Sequence, residues 1–86
     1  MFAACPTENL EFKGTNVKTE DALSWKECSQ KCRGEVTCSF WSWVKPDSKR
    51  ADAGKCYVNS DRGRQKLDGD VMSGYRSCGA PTSSVR

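Results

Sequence analysis

The sequence contains no histidine and no isoleucine, and the missing imidazole excludes several kinds of chemistry. Ser-His-Asp and Cys-His nucleophile systems both require that side chain, as do zinc sites with a histidine ligand. The chain also lacks the phosphate-binding loop, the dinucleotide fingerprint and the EF-hand calcium loop. Its carboxylates form no recognisable catalytic pair. We therefore predict that the protein is not an enzyme and that it holds no metal and no cofactor.

Long hydrophobic runs are missing as well. No apolar stretch approaches the roughly 18 residues of a membrane span, so we expect no transmembrane segment. Residues 1–4 have neither the basic start nor the apolar stretch of a signal peptide, and there is no N-x-[ST] glycosylation sequon. The composition of residues 79–86 is typical of a linker. We interpret the chain as one module of a longer secreted protein, with neighbouring modules in the same chain.

Six cysteines in 86 residues are the most informative feature that is present. A chain this short buries only a small core, and an even cysteine count is typical of a domain stabilised by disulfides. Disulfides form in oxidising compartments, which predicts a secreted, extracellular protein. Two other hypotheses remain. One is a metal site at Cys28, Cys32 and Cys38, although paired zinc knuckles are absent; the other is a protease-inhibitor or growth-factor scaffold, in which cysteines usually lie closer together.

The net charge of +3 originates in one segment. Residues 45–66 carry seven basic and three acidic side chains, and the rest of the chain is close to neutral. A nucleic-acid-binding protein would be more basic, so the expected partner is an acidic glycan or an acidic patch of another protein; the alternative is a merely solvated loop. The candidate ligand-binding residues are the cations of two basic loops, 45–55 and 60–66, and one aromatic ring able to stack on a sugar: Lys45, Lys49, Arg50, Tyr57, Arg62, Arg64 and Lys66. If the two loops fold toward one edge of a sheet, their cations form one patch.

One helix is predicted by its capping pattern. Ser24 and Glu27 have the spacing of a capping box, with Leu23 placed to pack onto Cys28. The helix should end at Arg33, with Gly34 in the left-handed conformation. The two helix cysteines, Cys28 and Cys32, share one face, so a bond between them is disfavoured. Three of the fifteen possible pairings contain that bond, and twelve remain open.

Strands are predicted around this helix at 9–13, 38–44, 55–59 and 71–78. Both faces of 38–44 carry large apolar groups, so this strand should be central. The tryptophans are expected in the core and Gly74 at a bulge or close backbone approach. Polar loops are expected at 46–54 and 60–66, with a turn at Asp68-Gly69. One helix on an antiparallel sheet is the α+β class.

The ordered set of motifs resembles the PAN/apple domain. The cysteine spacing C-x22-C-x3-C-x5-C-x17-C-x21-C is similar to the family's, and the second and third cysteines lie on the capped helix. The segments 38–43 (Cys-Ser-Phe-Trp-Ser-Trp), 55–58 (Lys-Cys-Tyr-Val) and 73–78 (Ser-Gly-Tyr-Arg-Ser-Cys) are similar to strands of that family. The resemblance covers residues 5–78, and no catalytic residue carries over.

The resemblance implies a fold, a disulfide pairing and a function. The fold is a sheet of about five antiparallel strands cradling one helix, and the pairing is Cys5–Cys78, Cys28–Cys56 and Cys32–Cys38. The function is adhesion, with a secreted or cell-surface protein as the first expected partner and an acidic, heparin-like glycan as the alternative. In its polarity and its lack of sequons the chain resembles the PAN/apple domains of apicomplexan microneme proteins. This resemblance implies a module that is stored in a microneme before secretion.

Overall fold

The computed structural model describes residues 5–80. The expectations about residues 1–4 and most of the linker-like tail, 81–86, lie outside this range. The elements along the chain are β1 (Thr7–Lys13), β2 (Asn16–Asp21), α1 (Trp25–Arg33), β3 (Phe40–Val44), β4 (Lys55–Asn59) and β5 (Arg64–Tyr75). The strands form one five-stranded antiparallel sheet in the order β1-β5-β3-β4-β2. The predicted α+β class is therefore confirmed.

Strand β3 occupies the centre of the sheet, as its two apolar faces predict. Trp41 and Trp43 lie on the face that packs against α1, and both are buried. Phe40 and Ser42 point to the opposite face because side chains alternate along a strand. Gly74 of β5 pairs with Trp41, and a Cβ atom at Gly74 would lie 2.6 Å from the indole ring. This glycine therefore permits the close approach that the sequence predicts.

Helix α1 begins as the capping pattern predicts and ends differently. Ser24 Oγ accepts a hydrogen bond from the Glu27 amide at 3.1 Å, and Glu27 Oε1 accepts one from the Leu23 amide at 2.5 Å. Two expectations are wrong. The Leu23 side chain does not pack onto Cys28, since Leu23 is 87% exposed, and Gly34 is right-handed, with φ −80°.

Arg76 explains how the helix closes without a left-handed residue. Its guanidinium donates hydrogen bonds to four carbonyl oxygens at and after the end of α1, those of Cys32, Arg33, Glu35 and Cys38. The Cys32 and Glu35 carbonyls also accept backbone amides, those of Glu35 and Cys38, so Arg76 adds a second partner at these two positions. The cation also lies where the helix dipole favours positive charge.

Three disulfides join the helix to the sheet, the end of the helix to the loop before β3, and the segment before β1 to the turn after β5. They are Cys5–Cys78, Cys28–Cys56 and Cys32–Cys38, the pairing that the family resemblance implies. Cys28–Cys56 joins α1 to β4, and Cys32–Cys38 joins the end of α1 to the loop before β3. Because each bond closes a loop in the unfolded chain, each stabilises the folded state.

Two strand assignments from the sequence are wrong. No strand was predicted where β2 lies, and the last strand, β5, runs from Arg64 to Tyr75 rather than over the predicted 71–78. The predicted loop 60–66 therefore ends at residue 63, and Asp68-Gly69 lies inside a strand instead of a turn. The β1–β5 register shifts opposite Asp68-Gly69: Glu8 pairs with Met72, whereas Leu10 pairs with Leu67.

The second half of β1 lies across the face of the sheet that α1 leaves open. The Phe12 amide donates to Ser42 Oγ of the central strand at 2.9 Å. The Phe12 and Phe40 rings meet edge to face, with centroids 5.5 Å apart. The irregular β1–β5 register accompanies this crossing. Both faces of β3 are consequently covered, and a cleft remains beside β4.

Within residues 5–80, no helix is long and apolar enough to cross a membrane.

Candidate functional site

A cleft of about 340 Å³ lies between the end of β1 and the open face of β4. We call it the β1–β4 cleft. Strand β4 supplies an aromatic ring and an amide, β1 and the start of β2 supply one wall, and the β3–β4 loop supplies the other. Its lining residues are Glu11, Phe12, Lys13, Gly14, Asn16, Arg50, Asp52, Tyr57 and Asn59.

Arg50 organises the polar wall of this cleft. Its guanidinium donates to Glu11 Oε1 at 3.0 Å, to Asp52 Oδ2 at 2.7 Å and to Asp68 Oδ2 at 2.9 Å. Glu11 is 4% exposed, and a buried carboxylate requires such a partner. These residues, together with Tyr57, which donates its hydroxyl hydrogen to Asp52, form the Arg50 cluster. The cluster fixes the positions of several hydrogen-bonding groups at the rim.

Hydrogen bonds inside the Arg50 cluster shift the pKa values of its members. The bond from Arg50 is the main cause that lowers the pKa of Asp52, and the pKa of Arg50 is raised in return. Burial and the bond to Asp52 raise the pKa of Tyr57 to about 12. The pKa of Asp68 is lowered mainly by the Asp70 amide and also by Arg50. At neutral pH Asp52 and Asp68 are therefore charged and the Tyr57 phenol is protonated.

Two amide side chains fix the other end of the cleft. Asn59 is buried and donates to the Phe12 carbonyl at 3.2 Å. Asn16 donates to Asn59 Oδ1 at 3.3 Å and to the Lys18 carbonyl at 3.0 Å. The end of β1 is thus held against β4 by side chains from both flanking strands. The cleft is formed before any ligand arrives.

The structure distributes the predicted ligand-binding residues over several places. Arg50 and Tyr57 line the β1–β4 cleft, whereas Arg64 and Lys66 line a second depression beside β1. Lys45 contacts Glu8 at 3.5 Å and the Gly69 carbonyl at 3.4 Å. The two remaining cations, Lys49 and Arg62, are exposed. Their roles in binding stay predictions, but Arg50 and Lys45 already have acidic partners.

Sequence reasoning missed most of the polar cleft residues. Glu11 lies on a predicted strand, but nothing in the sequence indicates that its side chain is buried. Asp52 lies in the loop 45–55, which was considered a candidate binding segment only because of its basic residues. Asn16 lies outside every predicted strand, and Asn59 is the last residue of the predicted strand 55–59. No spacing along the chain joins these residues, because the crossing of β1 over the sheet brings them together.

Comparison with known proteins identifies the family. The family model described as the PAN domain matches residues 10–59, more than half of the 86-residue chain. The chain belongs to the PAN domain family. This PAN domain is similar to a structure of the TgMIC4-A5/lacto-N-biose complex based on NOE-derived distance restraints, with a TM-score of 0.71 and 24% sequence identity. The match covers 87% of this chain and 100% of that chain, and it shows the fold. No curated protein matches the chain.

Proposed function

We propose that this PAN domain, from Cys5 to Cys78, is a non-catalytic adhesion module of a secreted protein and that it binds a glycan in the β1–β4 cleft. The observation that carries the proposal is the aromatic ring of Tyr57, which lines the cleft beside polar side chains that hydrogen bonds hold in fixed positions. A cleft of about 340 Å³ is at the small end of ligand sites, which span roughly 300–1,000 Å³. One or two sugar rings are ligands of this size.

The chemistry of the lining suits a sugar. Asp52 and Asn16 present side-chain oxygens that can accept hydrogen bonds from sugar hydroxyls. The five N–H donors of Arg50 are already bonded to Glu11, Asp52 and Asp68, so Arg50 positions the wall without donating to the ligand. The Tyr57 ring supplies an apolar surface for the carbon–hydrogen face of a sugar. Since these groups already hold one another, a ligand has little side-chain freedom to remove, which favours affinity.

A protein partner is the second candidate, and a different surface favours it. Leu23 is 87% exposed and borders a largely apolar depression of about 410 Å³ shared with Ala22 and Pro46. Apolar exposed surface of this kind is typical of protein contacts. Adhesion to another protein would use this surface and leave the β1–β4 cleft free.

The comparisons and the disulfides support an extracellular setting. Three disulfides need an oxidising compartment, and a secretory organelle such as a microneme provides one before release. The similar fold was determined with lacto-N-biose, so this disaccharide is a reasonable first probe.

The test is an NMR titration of the oxidised module with lacto-N-biose. Amide shifts should change along residues 11–16 and 50–59 and stay constant around Leu23. Tyr57→Ala should abolish binding, whereas Tyr75→Ala, at a ring 37% exposed outside the cleft, should leave it unchanged. Thermal unfolding of both variants shows whether they fold. Equal binding by folded Tyr57→Ala, or shifts centred on Leu23, would contradict the glycan proposal.

A further inference from the structure

A basic depression adjoins the β1–β4 cleft. It has a volume of about 250 Å³ and is lined by Lys13, Arg64, Gln65 and Lys66. Lys13 lines both concavities, so the cleft and the basic depression share one wall. A ligand in the cleft that contacts Lys13 therefore reaches the border of the depression.

The cations of the basic depression are poorly compensated. Lys13 and Arg64 are directly opposite each other in the β1–β5 pairing, and like charges in such pairs destabilise a sheet. Among residues 5–80, neither Arg64 nor Lys66 forms an ion pair or a side-chain hydrogen bond, and both are exposed.

The nearest carboxylates are already engaged. Glu11 is directly opposite Lys66 in the β1–β5 pairing and lies 3.7 Å from Lys13 Nζ, but Arg50 donates to both oxygens of Glu11. Lys66 lies close enough to Asp68 to help lower its pKa, yet Asp68 accepts its hydrogen bonds from Arg50 and from the Asp70 amide. The basic depression is thus free to bind an anion.

We infer that the glycan carries an acidic group, a sulfate or a carboxylate, which binds to Lys13, Arg64 and Lys66 while a neutral sugar ring occupies the β1–β4 cleft. This inference rests on the proposed function, because the shared wall at Lys13 matters only if the cleft holds the sugar. Arg64 can donate two hydrogen bonds to one sulfate or carboxylate. The anion also relieves the repulsion between Lys13 and Arg64.

The experiment compares three probes by calorimetry: lacto-N-biose and its 3′-sulfated and 3′-sialylated forms. Wild-type protein should bind at least one acidic form about tenfold tighter than the neutral form, as expected for charge-assisted hydrogen bonds. Arg64→Gln with Lys66→Gln should remove this preference and leave binding of neutral lacto-N-biose unchanged. A matched control, Lys26→Gln with Lys31→Gln, removes the same charge from helix α1, which lines neither concavity, and should keep the preference.

The outcomes separate this inference from the proposed function. If wild type binds all three probes equally, the acidic subsite is wrong and the glycan cleft stands. If the preference survives in Arg64→Gln with Lys66→Gln, or disappears in the control, the anion binds elsewhere and the inference is overturned. If none of the probes binds, both proposals fail. The two acidic probes distinguish sulfate from carboxylate recognition, and tighter binding of either one supports the inference.

Discussion

Arg50 donates to both carboxylate oxygens of the buried Glu11, at 3.0 and 3.4 Å. This contact joins the β3–β4 loop to the end of β1, which are 39 residues apart in the chain. Glu11 is almost fully buried, and Arg50 is its nearest cation, since Lys13 Nζ lies farther away, at 3.7 Å. This ion pair, together with the contacts of Arg50 to Asp52 and Asp68, holds the polar wall of the β1–β4 cleft in place.

Removing Arg50 should destabilise the domain. Arg50→Gln leaves the Glu11 carboxylate buried without its main counterion, and we expect a loss of about 2 kcal/mol in the free energy of unfolding. The partial exposure of Arg50, 24% of its side chain, keeps the loss below that of a fully buried pair. Urea unfolding of the oxidised protein measures it.

Two further variants test whether Glu11 is the cause. Lys49→Gln changes a neighbouring exposed lysine and should cost little. Glu11→Gln in the Arg50→Gln background should recover part of the lost stability, because the buried charge is gone. If Arg50→Gln and Lys49→Gln have equal unfolding free energies, the Glu11–Arg50 pair does not stabilise the fold.

Acid should weaken the domain through the same cluster. The pKa values of Asp52 and Asp68 are lowered in the folded state, so the unfolded chain, with aspartate pKa values of about 3.9, takes up protons first as pH falls. The stabilisation is fully present above about pH 4 and is lost as pH decreases through the lowered values.

The comparison with Arg50→Gln isolates this effect. The pKa of Asp21 is also lowered, by its hydrogen bond from Lys55, and Asp21 titrates in both proteins. Unfolding free energies measured from pH 7 to pH 2 should therefore fall more steeply for wild type than for Arg50→Gln. Parallel pH profiles would show that Arg50 is not responsible for the acid sensitivity.

Gly74 should not tolerate a side chain. A Cβ atom there would lie 2.6 Å from Trp41 Cζ2 and 3.1 Å from Cys78 Cβ. The Trp41 ring is fully buried, stacks on Trp25 and donates to the Tyr75 carbonyl, so it has no room to move. Gly74→Ala should cost about 2 kcal/mol through overpacking.

Gly69 in the same strand provides the control for Gly74. A Cβ atom there has only Asn9 Oδ1 within reach, at 3.9 Å, and Gly69→Ala should change the unfolding free energy by less than about 0.5 kcal/mol. The two variants are compared by chemical unfolding with the disulfides intact. Equal stability would mean that the core around Trp41 relaxes easily.

The elements that could be predicted from sequence carry their signals locally. The capping pattern at Ser24 and Glu27 predicts the start of α1, and the large apolar groups on both faces of 38–44 predict a central strand. Both depend on neighbours a few residues apart. The disulfide pairing was implied by the resemblance to the PAN/apple family, because helix geometry alone left twelve pairings open.

The elements that were missed take their structure from distant partners. The sequence of β2, Asn-Val-Lys-Thr-Glu-Asp, has one large apolar residue because it forms an edge strand with exposed side chains. The first half of β5 is equally polar, and pairing with β1 makes it a strand despite Asp68-Gly69. The β1–β4 cleft depends on both features, so no local pattern could indicate it.

The cap of α1 gives a final prediction. Ser24 Oγ accepts the Glu27 amide at 3.1 Å, and a nine-residue helix has little stability of its own. Ser24→Ala should lower the unfolding free energy by about 1 kcal/mol. Ser24→Asp keeps an acceptor at the same place and adds a charge that the helix dipole favours, so it should retain most of the stability. Guanidinium unfolding of the oxidised proteins distinguishes the two variants. Equal losses for alanine and aspartate would show that Ser24 acts through packing rather than through the hydrogen bond to Glu27.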